Sequence, residues 1–337
     1  MSATLEQQDR LTPEPAVVHQ IAEAVRASHR IIILGHSHPD GDCLGSGLGL
    51  LGILDALGKD ARFVTIGPLP HYLAYLPWFD RIETTLPPAE ETPDLWMYVD
   101  CGDPERVDDV WKPVNGPTVN IDHHLSNTHY AGLNWVDIEA AAAAEMIYRL
   151  GKVLGVPFSA DIATCLFTGL MTDTGGFRYS NADAVTFAAA SHLVGCGAHP
   201  SEIAQAVYES RKPQSVKLIG EVYATLRYEF SGQFVWNEIT QDLYNEVGGD
   251  EFEPDGLSSD IRGIEGVEIS ALFHETVEGH CRVGLRSRGR VNVSRLAQML
   301  GGGGHHNASG AYMKCEDYGT QRDAALEIIR KYLSEVF

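Results

Sequence analysis

The sequence predicts an α/β protein of two domains joined by a helical linker, and three observations support that prediction. The chain has 337 residues, which is more than one hydrophobic core usually organises. Short apolar runs alternate with helix-like stretches in its first part, as is typical of a parallel sheet covered by helices. After about residue 198 the apolar runs come in pairs around glycine-containing turns, as is typical of hairpins. We therefore expect a parallel-sheet domain over 1–197, a linker over 198–216, and a smaller α+β domain over 217–337.

Strands and helices alternate in the predicted first domain. Each strand is a short run of apolar and β-branched residues bounded by turn residues. The helices show apolar residues on one face, or an apolar stretch that ends near a glycine such as Gly58 or Gly155. The predicted strands are 31–34, 61–66, 95–99 and 118–121, and the predicted helices are 16–27, 44–57, 138–154 and 161–171.

The predicted second domain is built from hairpins and short helices. The linker before it contains a helix over 201–208 that ends before Pro213, and a helix of the second domain is expected over 294–300. The acidic stretch 242–260 is expected to form a solvated helix and loops without an assigned function. The paired strands are 225–230 with 233–240, and 268–276 with 280–287.

Three strands of the first domain each run directly into acids and histidines. The first is followed by Gly-His-Ser-His-Pro-Asp-Gly-Asp over 35–42, the third by Asp100, and the fourth by Asp-His-His over 122–124. If these strands are parallel neighbours, their carboxyl ends meet at one edge of the sheet, where open α/β folds place their sites. Carboxylates that gather there raise one another's pKa, and divalent cations relieve the repulsion. The pattern therefore predicts a metal-dependent enzyme.

The donor atoms in these segments indicate the kind of metal. The set mixes carboxylate with imidazole and has no thiolate at ligand spacing, which favours Mn²⁺ over structural zinc, with Mg²⁺, Co²⁺ or Fe²⁺ as alternatives. Six side chains exceed the needs of one ion, so we expect two ions that share a carboxylate and hold a hydroxide nucleophile between them. We expect the first segment to be a loop in which Gly41 and Gly45 allow sharp turns. The candidate ligands are His36, Asp40, Asp42, Asp100, His123 and Asp173.

Overall charge and composition restrict the partners. The formal net charge of −21 argues against long nucleic acids, because their non-specific binding depends on Lys and Arg. No apolar run approaches the roughly 20 residues of a membrane span. Residues 1–15 lack the basic start and apolar core of a signal peptide, so we expect a cytoplasmic protein without a membrane partner. The six cysteines show no Cys-x-x-Cys spacing and are expected to be reduced thiols.

One stretch, 281–315, is basic in this acidic chain. It contains six Lys and Arg residues, no Asp or Glu, four consecutive glycines over 301–304, and then His305 and His306. Basic groups together with exposed backbone N–H groups favour a small phosphate-bearing ligand, although a solvated basic face or a flexible linker would also explain the composition. Arg286, near the end of a predicted strand, is a candidate for a bidentate phosphate contact.

Five motifs in the chain resemble those of one known family. The combination of metal-ligand segments with a Gly-rich C-terminal signature resembles the DHH phosphoesterases that carry a DHH-associated C-terminal domain. The total length and the Gly-rich signature are similar to the nanoRNase / phosphoadenosine-phosphate phosphatase branch. The motifs are His-Ser-His-Pro-Asp-Gly-Asp-Cys-Leu-Gly-Ser over 36–46, Val99-Asp100, Asp122-His123-His124, Thr172-Asp173-Thr174-Gly175, and Gly-Gly-Gly-Gly-His-His-Asn-Ala-Ser-Gly over 301–310.

The resemblance implies a role for each matching residue. His36 and Asp40 would bind one Mn²⁺, and Asp100 would bridge to the other. His124 would face the substrate phosphate, and Asp122 would orient the histidines. The second Mn²⁺ would be bound by Asp42, His123 and Asp173. The residues implied to hold the substrate are Arg286, Gly302, Gly303, Gly304, His305 and His306.

The resemblance also implies an activity and its alternatives. We expect hydrolysis of short single-stranded oligoribonucleotides, down to dinucleotides, and of 3′-phosphoadenosine 5′-phosphate. A manganese-dependent inorganic pyrophosphatase or exopolyphosphatase is one alternative, and a cyclic-dinucleotide phosphodiesterase is another. A catalytically dead nucleotide-binding regulator and a structural metal protein are the non-enzymatic alternatives. The oligomeric state stays open, with a homodimer as one option.

Overall fold

The computed structural model describes residues 14–85, 88, 92–107, 116–248 and 257–337. The chain forms two compact units, Met1–Ser210 and Arg211–Phe337. The division falls inside the linker predicted over 198–216, between a helix that ends at Tyr208 and one that begins at Pro213. The domain bounds expected from the sequence stay a prediction.

The first unit alternates strands with helices, as expected for an α/β fold. Its strands are β1 (Arg30–Leu34), β2 (Asp60–Val64), β3 (Ile82–Glu83), β4 (Leu95–Val99), β5 (Thr118–Asp122) and β6 (Leu133–Val136). Its helices are α1 (Ala16–Ala27), α2 (Gly41–Ala56), α3 (Ala143–Leu154), α4 (Ala160–Asp173), α5 (Ala184–Gly195) and α6 (Pro200–Tyr208).

All six of these strands form one parallel sheet in the order β3-β2-β1-β4-β5-β6. The predicted α/β class is therefore confirmed. The chain moves from β1 to β2 on one side and later returns to place β4 on the other side, which makes the β1/β4 boundary a topological switch point. Ligands of open α/β sheets bind in the crevice beyond the carboxyl ends of the strands at such a point. β1, β4 and β5, whose ends carry the predicted ligands, are direct neighbours.

Helices α2 and α4 pack closely because glycines replace side chains along their contact. Gly41, Gly45 and Gly49 recur every fourth residue and so share one face of α2. A Cβ atom added at Gly45 would lie 2.5 Å from the carbonyl oxygen of Cys165, and one at Gly41 would lie 2.4 Å from the Thr172 side chain. The prediction that Gly41 and Gly45 belong to a turning loop is wrong, since both lie in the helix.

Three helix boundaries of this unit differ from the sequence-based ones. α2 begins at Gly41 instead of 44, because the Asp40 side chain accepts two backbone hydrogen bonds from the first turn, at 3.1 and 3.0 Å. α3 begins at Ala143 instead of 138, because the Asp42 side chain of α2 accepts hydrogen bonds from the first backbone N–H groups of α3. α4 extends two residues beyond its predicted end, to Asp173. Asp42 therefore lies in a helix and not in the expected loop, and Asp173 is the last residue of α4.

The second unit contains a mixed six-stranded sheet in the order β11-β12-β10-β9-β8-β7. Both predicted hairpins are confirmed, since β7 pairs with β8 and β9 with β10 in antiparallel fashion, while β8 and β9 are parallel. Its strands are β7 (Arg227–Glu229), β8 (Phe234–Ile239), β9 (Ile269–Glu275), β10 (Cys281–Ser287), β11 (Gly303–Gly304) and β12 (Ala308–Met313). Its helices are α7 (Pro213–Ala224), α8 (Gln241–Val247), α9 (Leu257–Arg262), α10 (Val293–Met299) and α11 (Tyr318–Ser334).

The acidic stretch predicted to be solvated is partly buried. α8 places Tyr244 and Val247 in a small apolar cluster, together with Leu257 from α9. Residues 249–256 of this stretch lie outside the described residues. Several further elements were not predicted, above all α11, although Leu326, Ile329 and Leu333 are apolar, buried and spaced as on one helix face.

Two further expectations concern membranes and thiols. Within the described parts of the chain, no helix combines the length and the apolar character needed to cross a bilayer. All six cysteines are free thiols, as expected, and four of them are buried.

Candidate active site

The acids and histidines predicted as metal ligands meet at the carboxyl edge of the parallel sheet. His36 follows β1, Asp100 follows β4, and β5 ends in Asp122, just before His123 and His124. Each predicted ligand has a donor atom within 3.9 Å of a donor atom of another member. Residues separated by up to 137 positions in the sequence are thereby joined in one group.

Asp100 lies at the centre of this group. Its Oδ2 is 3.4 Å from His36 Nε2, and its Oδ1 is 3.6 Å from His123 Nε2, so its two oxygens face opposite sides. The side chain is 3% exposed, and Oδ1 is a buried atom that accepts no hydrogen bond from the residues the structure describes. A buried carboxylate oxygen without a donor is costly unless a cation binds it. Asp100 therefore has the geometry of a ligand shared between two cations.

His36 and His123 both present Nε2 to the carboxylates. His36 Nδ1 lies 2.9 Å from the Ser37 carbonyl oxygen, and His123 Nδ1 lies 3.2 Å from the Ala140 carbonyl oxygen. Because a carbonyl only accepts, each Nδ1 must carry the proton, which leaves the lone pair on Nε2. This arrangement, with the far ring nitrogen anchored to backbone, is typical of metal-binding histidines.

The two helical acids approach His123 from α2 and α4. Asp42 Oδ2 is 3.7 Å and Asp173 Oδ2 is 3.4 Å from His123 Nε2. Asp42 also accepts backbone hydrogen bonds from Ala143 at 2.6 Å and from Ala144 at 2.9 Å, so it caps the N-terminus of α3. The run of alanines at this point keeps the helix end close enough for Asp42 to reach it. Asp42, His123 and Asp173 thus form one compact donor group.

Asp40 belongs to the other side of the site. Its Oδ1 lies 3.9 Å from His36 Nε2, and its side chain is 59% exposed. A second compact donor group on that side consists of His36, Cys43 and Asp100, all buried. Since Asp40 is the exposed member, this side of the site is the more open to solvent.

Burial and mutual repulsion shift the pKa values of the acids in this group. Burial and the neighbouring carboxylates of Asp100 and Asp173 raise the pKa of Asp42 well above its usual value. Burial raises the pKa of Asp173 to about 6 despite the adjacent His123. Burial alone would raise the pKa of Asp100, but the imidazoles of His123 and His36 hold it well below the usual range. Acids that repel one another around an unsatisfied oxygen fit a site for divalent cations.

His124 points to a different partner. Its Nδ1 lies 2.7 Å from Asp122 Oδ1, while the distance to Asp100 Oδ1 is 3.6 Å, too long for a hydrogen bond. Asp122 is fully buried, and although burial raises its pKa, the hydrogen bonds from His124 and Asn127 and the nearby His124 imidazole together lower the pKa below its usual value. His124 is therefore oriented by Asp122, and together with Asp100 and Asp122 it forms a third compact donor group.

Comparison with known proteins agrees with this arrangement. Residues 30–170 match the DHH family, N-terminal domain, and residues 243–335 match the DHHA1 domain. The bifunctional oligoribonuclease and PAP phosphatase NrnA of Thermus thermophilus is 36% identical over 332 residues, which cover 97% of this chain and 98% of the relative. The chain belongs to the DHH family. DHH phosphoesterases are metal-dependent hydrolases, so the chain is an enzyme of that class.

One further relative and one solved structure are similar to this chain over most of its length. The bifunctional oligoribonuclease and PAP phosphatase NrnA of Bacillus subtilis is 30% identical over 306 residues, covering 89% of this chain and 95% of the relative. The crystal structure of an exopolyphosphatase-related protein from Bacteroides fragilis matches with a TM-score of 0.84 and 24% identity, covering 95% of this chain and 96% of the other. The structural match supports the fold, and the sequence matches identify the branch of the family.

The DHHA1 unit contains the predicted substrate residues. Arg286 lies on β10 and is partly buried, with Nε 3.3 Å from Ser259 Oγ and an Nη1 hydrogen bond to the Leu285 carbonyl oxygen at 3.0 Å. His306 Nε2 lies 2.9 Å from the Gly289 carbonyl oxygen and must donate to it. The backbone N–H of His305 donates to the Ala308 carbonyl oxygen, which closes the turn between β11 and β12.

The glycines of the DHHA1 signature differ in their surroundings. A Cβ atom at Gly302 would lie 2.1 Å from the Gly310 carbonyl oxygen, and one at Gly304 would lie 2.7 Å from that of Ala308. Both glycines are therefore required by the packing of the β11–β12 turn. Gly301 and Gly303 have no atom of the described residues within 4 Å of their Cβ positions, and of the glycines in the proposed binding set Gly303 is the one that leaves room for a ligand.

Sequence analysis missed the polar side chains behind Asp122. Asn127 donates to Asp122 Oδ2 at 2.6 Å and to Asn120 Oδ1 at 2.7 Å. A signal was present, since Asn120 is a polar residue inside an apolar strand, two positions before Asp122 and thus on the same strand face. Buried polar residues in strands usually have a hydrogen-bonding reason.

Proposed function

We propose that the chain is a manganese-dependent phosphoesterase that hydrolyses short oligoribonucleotides and 3′-phosphoadenosine 5′-phosphate. The observation that carries this proposal is Asp100, a buried carboxylate whose two oxygens face two separate groups of donors. Two cations at about 3.5–4 Å separation suit the cleavage of phosphate esters, because they clamp both the attacking and the leaving oxygen. The names of the two NrnA relatives support the same pair of substrate classes.

The donor chemistry favours manganese. Carboxylate ligands suit Mg²⁺ and Mn²⁺, whereas imidazole suits softer ions, and Mn²⁺ accepts both. Mg²⁺ and Co²⁺ are the alternatives. Bound there, the cations would supply a hydroxide nucleophile near neutral pH and neutralise the phosphoryl oxygens. The proposed ligands are His36, Asp40 and Asp100 for one ion, and Asp42, His123, Asp173 and Asp100 for the other.

The remaining residues act on the substrate directly or through a neighbour. His124 is proposed to donate a hydrogen bond or a proton to the phosphate, while the hydrogen bond to Asp122 keeps its ring oriented. In the DHHA1 unit, Arg286 and Gly303 are proposed to contact the nucleotide. The other members of the proposed binding set are Gly302, Gly304, His305 and His306.

Charge supports short substrates. With a net charge of −21 the protein repels a long polyanion, whose binding would need many Lys and Arg contacts. Two cations and a local basic stretch suffice for a nucleotide with few phosphates. We expect turnover to fall as the RNA becomes longer.

A substrate panel tests the proposal. Pyrophosphate, 3′-phosphoadenosine 5′-phosphate, a diribonucleotide, a long RNA and a cyclic dinucleotide are compared with Mn²⁺ and with a chelator. We expect hydrolysis of the diribonucleotide and of 3′-phosphoadenosine 5′-phosphate in Mn²⁺ only. Protein with Asp100→Asn, purified in parallel, measures any contaminating nuclease. Light scattering on the same samples determines whether the protein forms a homodimer.

Other results of the panel would contradict the proposed substrates or the metal dependence. Fast hydrolysis of pyrophosphate with an intact diribonucleotide would identify a pyrophosphatase and reject the proposal. Preference for the cyclic dinucleotide over the linear one would favour the phosphodiesterase alternative. Equal rates in Mn²⁺ and chelator would remove the metal-dependent mechanism.

A further inference from the structure

A chain of hydrogen bonds extends behind His124 and ends at the backbone of Cys101, the residue after Asp100. Asp122 is fully buried, and its two oxygens have different partners. Oδ1 is 2.7 Å from His124 Nδ1, and Oδ2 accepts from Asn127 Nδ2 at 2.6 Å. Without Asn127, Oδ2 would lose the hydrogen bond from Nδ2 while it stays buried and charged. Because a buried charged oxygen without that donor is costly, the carboxylate would tend to rotate.

The amide of Asn127 has one orientation only. Its Oδ1 accepts the backbone N–H of His129 at 2.8 Å, and a backbone N–H can only donate. Its Nδ2 must therefore face Asp122 and Asn120, where it donates at 2.6 and 2.7 Å. A flipped amide would place an oxygen against two oxygens. The side chain is thus fixed as a donor to Asp122.

Asn120 connects this pair to the end of β4. Its Nδ2 donates to the Cys101 carbonyl oxygen at 3.0 Å, and the Tyr130 hydroxyl donates to the same oxygen at 2.9 Å. Cys101 directly follows Asp100 in the sequence. The network therefore joins the backbone beside Asp100 to the carboxylate that orients His124.

We infer that Asn127 is a positioning residue, which holds Asp122 so that His124 keeps its proton on Nδ1 and presents Nε2 to the substrate phosphate. The inference rests on the proposed function, since it gives His124 a partner in the substrate. Partners that orient a catalytic or metal-bound histidine typically contribute about 10- to 100-fold to activity. Asn127 contacts none of the proposed metal ligands by a hydrogen bond through its side chain.

A double-mutant cycle tests this role with the diribonucleotide as substrate. Asn127→Ala is expected to lower kcat by about 10- to 100-fold with less than about a 3-fold change in KM. In a His124→Ala background the same substitution should change kcat by less than about 2-fold, because its effect passes through His124. His129→Asn is the matched control, since that side chain is exposed and its left-handed backbone (φ 53°) tolerates Asn. Bound manganese per chain should be equal in all variants.

Nitrogen NMR of labelled histidine gives a readout that does not depend on activity. In magnesium-loaded wild-type protein His124, identified by its loss in His124→Ala, should keep a proton on Nδ1, the nitrogen that lies beside Asp122. In Asn127→Ala the two nitrogens should move towards averaged shifts as the tautomers mix. If Asn127→Ala fails to fold, Asn127→Ser, which cannot reach both oxygens, replaces it.

The outcomes separate this inference from the proposed function. A wild-type kcat in Asn127→Ala, or an equal loss in both backgrounds, overturns the role of Asn127 while His124→Ala still lowers turnover. If His124→Ala itself has no effect on hydrolysis, the proposed role of His124 fails first. An unchanged His124 tautomer in a slow Asn127→Ala variant would also reject the positioning role.

Discussion

Asp100 is the residue on which the candidate site depends most. It follows β4 with a left-handed backbone (φ 55°), which is uncommon for a residue other than glycine and costs roughly 1–3 kcal/mol. Its backbone N–H still donates to the Ile121 carbonyl oxygen at 3.0 Å, so the turn is part of the sheet edge. The turn directs the carboxylate between His36 and His123. Strain of this kind persists where the surrounding structure holds it, and here it places the central acid.

Asp100→Asn should abolish activity while the fold survives. The amide has the same shape, but it lacks the charge and replaces one oxygen with a nitrogen that cannot bind a cation. We expect kcat to fall at least about 1000-fold, a loss of about 4 kcal/mol of transition-state stabilisation. Steady-state kinetics with Mn²⁺ and a circular dichroism melt measure the two effects.

The exposed acid Asp161, in the first turn of α4, provides the control for that substitution. Asp161→Asn removes the same charge from the same unit and should leave kcat within about 2-fold. A folded Asp100→Asn protein with near-native turnover would contradict the shared-ligand assignment.

Alanine substitutions at two neighbouring glycines of the DHHA1 unit should distinguish an effect on ligand binding from an effect on packing. Gly303→Ala meets open space, so it should raise KM for the nucleotide several-fold without lowering the melting temperature. Gly302→Ala drives a methyl group into the Gly310 carbonyl oxygen and should destabilise the protein by about 1–3 kcal/mol. Thermal melts and KM values measure the pair. An unchanged KM in Gly303→Ala would remove that glycine from the binding set.

The contact between α2 and α4 determines the separation of two proposed ligands. Asp42 lies near the start of α2, and Asp173 is the last residue of α4. Close packing at Gly45 and Gly169 brings the helices together, and a Cβ at Gly169 would lie 2.7 Å from Asp42 Oδ1. The glycines therefore hold the donor geometry as well as the core.

Gly45→Ala should disturb that geometry. The new methyl group would lie 2.5 Å from the Cys165 carbonyl oxygen and 2.8 Å from Gly169 N, and backbone atoms cannot move aside as a flexible side chain can. We expect a stability loss of about 1–3 kcal/mol and a kcat reduction of roughly 10- to 100-fold. Chemical denaturation and kinetics on the same preparation test both.

Gly220→Ala is the matched helix control. Gly220 lies inside α7, is exposed, and has no described atom within 4 Å of its Cβ position. Alanine there should increase stability by about 0.5–1 kcal/mol, because glycine is the poorer helix former. If Gly45→Ala were as harmless as Gly220→Ala, the close helix contact would be wrong.

The molecule has separate cores, and the proposed ligands all belong to the first unit. The main core of the first unit includes Leu44, Met97 and Leu166, while Phe234 and Val283 belong to a core of the second. Cation binding should therefore stabilise the first unit selectively.

Removal of metal should lower the stability of the first unit against local opening and leave that of the second unit unchanged. A cation present at about 1000 times its dissociation constant adds about 4 kcal/mol to stability. After chelation, hydrogen exchange should become faster in β1, β4 and β5 and stay constant in β9 and β10. Mass spectrometry of peptides measures this difference. Asp100→Asn protein should show a much smaller response, and equal acceleration in both units would contradict the prediction.

Local sequence determined the proposed ligand set, the strands that present it and the two-part architecture. β1, β4 and β5 are short runs of apolar residues, and each is followed at once by acids or histidines. Such features depend on neighbours along the chain, so a pattern of residues is enough to predict them. The parallel order of these strands then follows from general rules of α/β folds.

Only the tertiary structure decided how those residues are held. Asp42 caps a helix that begins 101 positions later, Gly45 touches the backbone of Cys165, and Gly302 packs on Gly310. Asn127 likewise acquires its role only through Asp122 and its neighbours. These contacts join residues whose proximity arises when helices and strands pack, so no local pattern specifies them. The chemistry of the site is thus encoded locally, while its geometry is produced by long-range packing.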